Sequence, residues 1–79
     1  MAAVAFRLEN PRELLRQAMV EEILSWPDRP RQIFTQAHYM GLRIEEIASR
    51  LGENALEVRQ ILAFYERKLR AAIRAYRHA

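Results

Sequence analysis

Cysteine is absent from this 79-residue chain. Neither a disulfide nor a thiolate metal site can therefore reinforce so small a domain, and the lack of thiols fits a cytoplasmic protein. Glycine and proline are scarce, at two and three residues, so few breaks interrupt a sequence rich in Leu, Ala, Arg and Glu, all good helix formers. No apolar run approaches the roughly 20 residues that span a bilayer, which removes a membrane partner. The opening MAAVAFRLEN holds too short an apolar stretch for a signal peptide. Strand-like alternation, internal repeats and low-complexity tracts are all missing. The residues of common catalytic sites are missing too. There is no serine elbow and no glycine-rich phosphate loop. His38 and His78 stand far apart in sequence, and the adjacent pairs Glu21-Glu22 and Glu45-Glu46 point in different directions on a helix. The sequence thus reads as a non-enzyme that needs no cofactor and no metal.

What remains is a single all-α domain over residues 1–79, organised around IEEIASRLGENALEVRQIL, residues 44–62. Ile44, Ile47, Ala48 and Leu51 recur at helical spacing. Gly52 follows where a helix stop needs positive φ. Asn54 can cap a second helix, with Glu57 three residues on in the capping-box position. Val58, Ile61 and Leu62 give that helix its own apolar stripe, and the small Ala48 allows a close crossing. These are the spacing demands of a helix-turn-helix.

Taken in order, residues 1–9 read as a loose lead-in. Asn10, Pro11 and Glu13 mark the start of a first helix over 10–25. Its mostly apolar face runs through Leu15, Ala18, Met19, Glu22 and Ile23; Leu14, Val20 and Leu24 widen it, which predicts cover from more than one neighbour. Trp26-Pro27 ends it. Asp28 is the expected cap of a second helix over 28–40, with Ile33, Phe34, Ala37 and Tyr39 or Met40 as its apolar side. Gly41 stops that helix, Leu42 reads as a plug under the loop, and Arg43 occupies the cap position before Ile44. The last helix, 55–78, has no internal Gly or Pro. Val58, Leu62, Tyr65, Leu69, Ala72 and Tyr76 form its stripe, with Ile73 beside it, and it is far longer than a recognition helix needs. Its far half must pack on the first helix or on another chain.

Charge is unevenly placed. Residues 1–57 hold seven arginines against nine acids, a balance of −2, whereas residues 58–79 hold six Lys or Arg against Glu66 alone, a balance of +5. The basic end coincides with the last helix. That polarity suits a nucleic-acid partner, and it also suits a solvated helix end that complements its own dipole.

The stretch from Trp26 to Arg70 resembles the promoter-reading C-terminal domain of bacterial sigma factors of the sigma-seventy class, most closely the extracytoplasmic-function group. The residues that carry the resemblance are Trp26-Pro27 with the basic segment after it, the apolar helix from Ile33-Phe34 to Tyr39, Gly41-Leu42-Arg43-Ile44-Glu45-Glu46-Ile47-Ala48, Leu51-Gly52, Val58-Arg59, Leu62 and Leu69-Arg70. The resemblance implies four helices, the last placed in the major groove of a promoter element. It also implies RNA polymerase and an anti-sigma protein as further partners. The family's promoter-melting domain has no counterpart in these residues, so the chain is not expected to act alone as a complete sigma factor. Departures fall on the recognition helix. Glu53 follows Leu-Gly where the family has an apolar residue, Glu57 replaces a common Thr, Ile61 a common Arg, and Ala63-Phe64 a common His-Arg pair; Tyr65 and Glu66 stand where Ala and Arg are usual.

Two functions follow. In the first, the chain is a DNA-binding transcription regulator or an isolated promoter-recognition domain acting on double-stranded DNA. Arg59 and Gln60 would reach guanine or adenine edges, with Arg43, Asn54, Ala63, Arg67 and Arg70 completing the interface. Lys68 would add a phosphate contact, and Arg29, Arg31 and Arg43 would hold a flanking strand. In the second, the chain is a protein-interaction module for polymerase, an anti-sigma protein or its own copy as a homodimer. Ile61, Phe64, Ile73 and Tyr76 would form its surface.

Overall fold

A computed structural model describes residues 10–78, with the side chain of His78 excepted; the lead-in expected over residues 1–9 lies outside them. The described residues form four α-helices: α1 (Pro11–Leu24), α2 (Asp28–His38), α3 (Ile44–Leu51) and α4 (Ala55–His78). Each of the first three packs on α4, and α2 also packs on α3. Helix α4 is thus the spine of an all-α domain. The radius of gyration is 15.6 Å and the longest extent 51 Å, against a radius of about 12 Å for a compact chain of this size. Helix α4, whose 24 residues span about 36 Å at 1.5 Å per residue, is the longest element.

The helix ends are set by short-range chemistry. The Asn10 side-chain oxygen accepts the backbone N–H groups of Arg12 and Glu13 at 3.1 and 3.3 Å, and Pro11 occupies the first turn, where its missing N–H costs nothing. Helix α2 starts differently from the sequence expectation. Pro27, not Asp28, takes the cap position, and no side chain caps it. The fixed proline φ of −59° suits the extended entry, and the Pro27 carbonyl accepts the Arg31 N–H at 3.2 Å. Asp28 becomes a first-turn residue and binds the Arg31 guanidinium at 2.5 Å instead.

Helix α2 also ends two residues short of the expected 40. Gly41 adopts φ 68°, and the Leu42 N–H turns back to the Gln36 carbonyl at 3.0 Å. That turn carries Leu42 under the loop, as its sequence position suggested, while Tyr39 and Met40 are left exposed rather than on the apolar side. Gly52, at φ 66°, closes α3 in a Schellman arrangement, with the Glu53 N–H donating to the Ala48 carbonyl at 2.9 Å. Arg29 reaches across from α2 and donates to the Leu51 carbonyl at 3.1 Å. A cation there neutralises part of the helix's negative end.

Two apolar clusters make the core. The first joins Ile23, Trp26, Phe34 and Leu69, with Met19, Leu62, Tyr65 and Ile73 against it. The second joins Ile33, Ile47, Ala48 and Val58 beneath the turn, with Leu42, Ile44, Leu51 and Ile61 among its flanking residues. Leu62 touches both. Trp26 is the centre of the first. Its ring meets Phe34 edge-on at 5.3 Å and Tyr65 at 4.9 Å, and its indole N–H donates to Glu22 at 2.7 Å. Glu22 therefore belongs to the α1 core face by virtue of one hydrogen bond. The wider α1 face foreseen from sequence is not covered: Val20 and Leu24 are 42% and 61% exposed. Helix α1 packs on α4, and Leu24 lies exposed at its end, where the chain turns toward α2.

Candidate nucleic-acid interface

The turn between α3 and α4 is three residues long, Gly52-Glu53-Asn54. Its register is fixed from both sides by Ile47 and Ala48 of α3 against Val58 of α4, all in the second cluster. The Asn54 side-chain oxygen accepts the N–H groups of Leu56 and Glu57 at 2.7 and 3.3 Å. Asn54, a candidate contact residue, is thus engaged as the α4 cap through its oxygen. Glu57 makes no return bond to Asn54 among the described contacts, so only half of the expected capping box is formed. The return half occurs one helix earlier, where the Glu46 carboxylate accepts the Arg43 backbone N–H at 2.9 Å. Arg43 has no side-chain acceptor with which to complete it, and its guanidinium is exposed.

Helix α4 has three distinct sides. One is the core side, through Val58, Leu62, Tyr65 and Leu69. The second is basic. Arg67, Arg70, Arg74 and Arg77 follow one another in steps of three and four, and Arg59 lies on the same side two turns before Arg67. All five are exposed, and none is within ion-pair distance of an acid among the described residues. From Arg59 to Arg77 this side runs about 27 Å. Toward the turn, Leu56 and Ala63 stand within the basic side, and the third side, between the basic and core sides, carries Gln60 and Phe64. Leu56 is 61% and Phe64 52% exposed, Gln60 is exposed and Ala63 half-buried.

The structure therefore brings Arg59, Gln60, Ala63, Arg67 and Arg70 together on contiguous outward surface of α4. It separates the four candidate interface residues. Ile61 is half-buried in the second cluster and Ile73 in the first, both covered by the chain's own helices. Phe64 and Tyr76 remain exposed. Of the arginines expected to hold a flanking strand, Arg29 is engaged at the α3 end and Arg31 by Asp28 and the Leu24 carbonyl. Lys68 points the other way, 3.9 Å from Glu22 of α1.

Sequence reasoning passed over Arg74, Arg77 and Leu56, although the spacing of the arginines alone puts them on one side of a helix. It also passed over the approach of His38 on α2 to Glu66 on α4, 2.6 Å apart, for which no local pattern exists. Among the described residues no group of three or more His, Asp or Glu could hold a metal ion, and no helix is long and apolar enough to cross a membrane. No family model, curated protein or solved structure matches the chain.

Proposed function

We propose that the chain is a DNA-binding module of the helix-turn-helix kind, similar to the promoter-reading domain of sigma factors, with α4 as the helix that enters the major groove. The observation that carries this reading is the row Arg59, Arg67, Arg70, Arg74 and Arg77. Five exposed guanidinium groups on one side of one helix, without carboxylate partners among the described residues, repel one another and gain from a polyanion. The helix that carries them follows a three-residue turn, and its first turns point outward with Arg59 and Gln60, residue types that pair with guanine and adenine edges. Arg67 onward suits phosphates, which hold the protein in register without specifying sequence.

Fluorescence anisotropy on labelled duplexes tests this. If Arg67, Arg70, Arg74 and Arg77 meet phosphates, log K falls with log salt at a slope near −3.6, and affinity drops about 10²-fold between 50 and 200 mM salt. Replacing Arg67 or Arg70 with Gln flattens the slope by about 0.9 each. No binding at low salt to a broad pool of duplexes would overturn the proposal.

A second reading, a sigma-like protein-interaction module, is favoured by one observation: Phe64 and Tyr76 are large, aromatic and uncovered, at 52% and 37% exposure. It predicts concentration-dependent association in light scattering that Phe64→Glu abolishes.

A further inference from the structure

We infer that the outward side of α4 next to the turn reads the 5-methyl group of thymine, with Leu56 and Phe64 as the residues that touch it and Gln60 between them reading the adenine of an A·T pair. The inference rests on the proposal that α4 binds duplex DNA. Leu56, Gln60 and Phe64 are spaced by four, so they stack one above another over about 12 Å of helix, close to the roughly 12 Å width of the major groove. Leu56 and Phe64 are more than half exposed at 61% and 52%. Neither contributes to the two core clusters.

An exposed apolar strip fits a protein partner or an apolar feature of DNA, and its surroundings decide between them. Arg59 and Arg67 border the strip on one side, with Arg70 and Arg74 continuing the same charged row, and the exposed Glu57 borders it on the other. Arginine beside aromatic residues is common at protein interfaces as well, so the choice comes from the length of the charged row, whose guanidinium groups have no carboxylate within ion-pair distance among the described residues and gain from a line of phosphates. Within the major groove the apolar feature of a base pair is the thymine methyl, and Phe and Ala are among the side chains that pack on it. Gln is suited to adenine N6 and N7, the bases opposite those methyls. Phe64 is also held in place. Its ring meets Tyr65 edge-on at 5.0 Å, and Tyr65 is in turn fixed against Trp26. A ring already oriented loses little freedom on binding.

The test uses the full chain and duplexes recovered from a randomised pool by binding to it. Each recovered duplex is prepared twice, with thymine and with uracil at every thymine position, which removes only the methyl groups. Each contacted methyl lost should weaken binding about fourfold, the equivalent of one buried carbon. Phe64→Ala and Leu56→Ala should each bring the thymine-to-uracil ratio closer to one while leaving the salt slope unchanged. Both side chains lie outside the core, so circular dichroism of the variants should match the native chain. Equal affinity for the two forms would overturn the inference and leave DNA binding standing. Absence of binding to any duplex would overturn both this inference and the reading it rests on. A thymine preference that both alanine variants retain would overturn the residue assignment, and loss of self-association in Phe64→Ala alongside it would give that surface to a protein partner.

Discussion

His38 on α2 and Glu66 on α4 meet with Nε2 and Oε2 2.6 Å apart, joining two helices across 28 residues of sequence. The imidazole also stacks on Phe34 one turn back, at 4.3 Å between ring centres. Glu66 is the sole acid among residues 58–79, and there it contacts α2. Its side chain is 30% and that of His38 46% exposed, so solvent screens the pair. A double-mutant cycle with His38→Ala and Glu66→Gln should give a coupling of no more than about 1 kcal/mol in denaturant unfolding. A much larger coupling would mean the pair is better shielded than its exposure indicates.

Trp26 sets the stability of the α1–α4 half. It is 3% exposed and packs on Phe34 and Tyr65. Trp26→Ala should cost about 3–5 kcal/mol, a large part of the roughly 5–15 kcal/mol that holds a typical domain together. Glu22→Ala should cost about 1–3 kcal/mol, because it leaves the buried indole N–H without its acceptor. Glu22→Gln keeps an acceptor oxygen and should cost distinctly less. Chemical denaturation followed by circular dichroism separates these variants; equal losses for Glu22→Ala and Glu22→Gln would argue against the hydrogen bond as the cause.

The crossing beneath the turn is sensitive to volume and to backbone freedom at different positions. Ala48 is 5% exposed among Ile33, Ile47 and Val58, all at 0%. Ala48→Leu should overpack this crossing by about 1–3 kcal/mol. Gly52 sits at φ 66° with open space where a Cβ would stand, so Gly52→Ala should cost about 1–2 kcal/mol through conformation alone. Gly52→Asn should cost less, since Asn visits that region more readily. Thermal melts of the three variants provide the comparison, and an unchanged melting midpoint for Ala48→Leu would place Ala48 outside the contact.

Gln36 offers an opposite effect. Its side-chain Oε1 is buried with no hydrogen-bond partner. An orphaned acceptor of this kind costs about 1–3 kcal/mol, so Gln36→Met should raise stability by about 1 kcal/mol. For a domain of this size that corresponds to a rise of about 4–8 °C in Tm. A fall in Tm would show that the amide makes a compensating bond through its nitrogen.

Local chemistry in the sequence determined most of the helical layout. Asn10-Pro11, Gly41, Gly52 and Asn54 act within a few residues of themselves, through capping bonds or permitted φ, so their effects are readable without a fold. The 3.6-residue period of α4 likewise fixes that Val58, Leu62 and Leu69 share a side. It equally fixes the row of arginines, which was there to be read. The tertiary structure decided which of several apolar positions are covered. Ile61 and Phe64 lie three residues apart on one helix, yet one is packed under α3's cluster and the other is open, because only the placement of the neighbouring helices says where cover stops. The same holds for charge. Arg29, Lys68 and Glu66 look like free surface groups in sequence, but α3 brings a carbonyl to Arg29, α1 a carboxylate to Lys68 and α2 an imidazole to Glu66. Among the described residues Arg59, Arg67, Arg70, Arg74 and Arg77 have no carboxylate within ion-pair distance, and Glu66, one turn before Arg70, is held by His38 of α2 instead. Pairing across distant segments depends on distance in space, which no local pattern encodes.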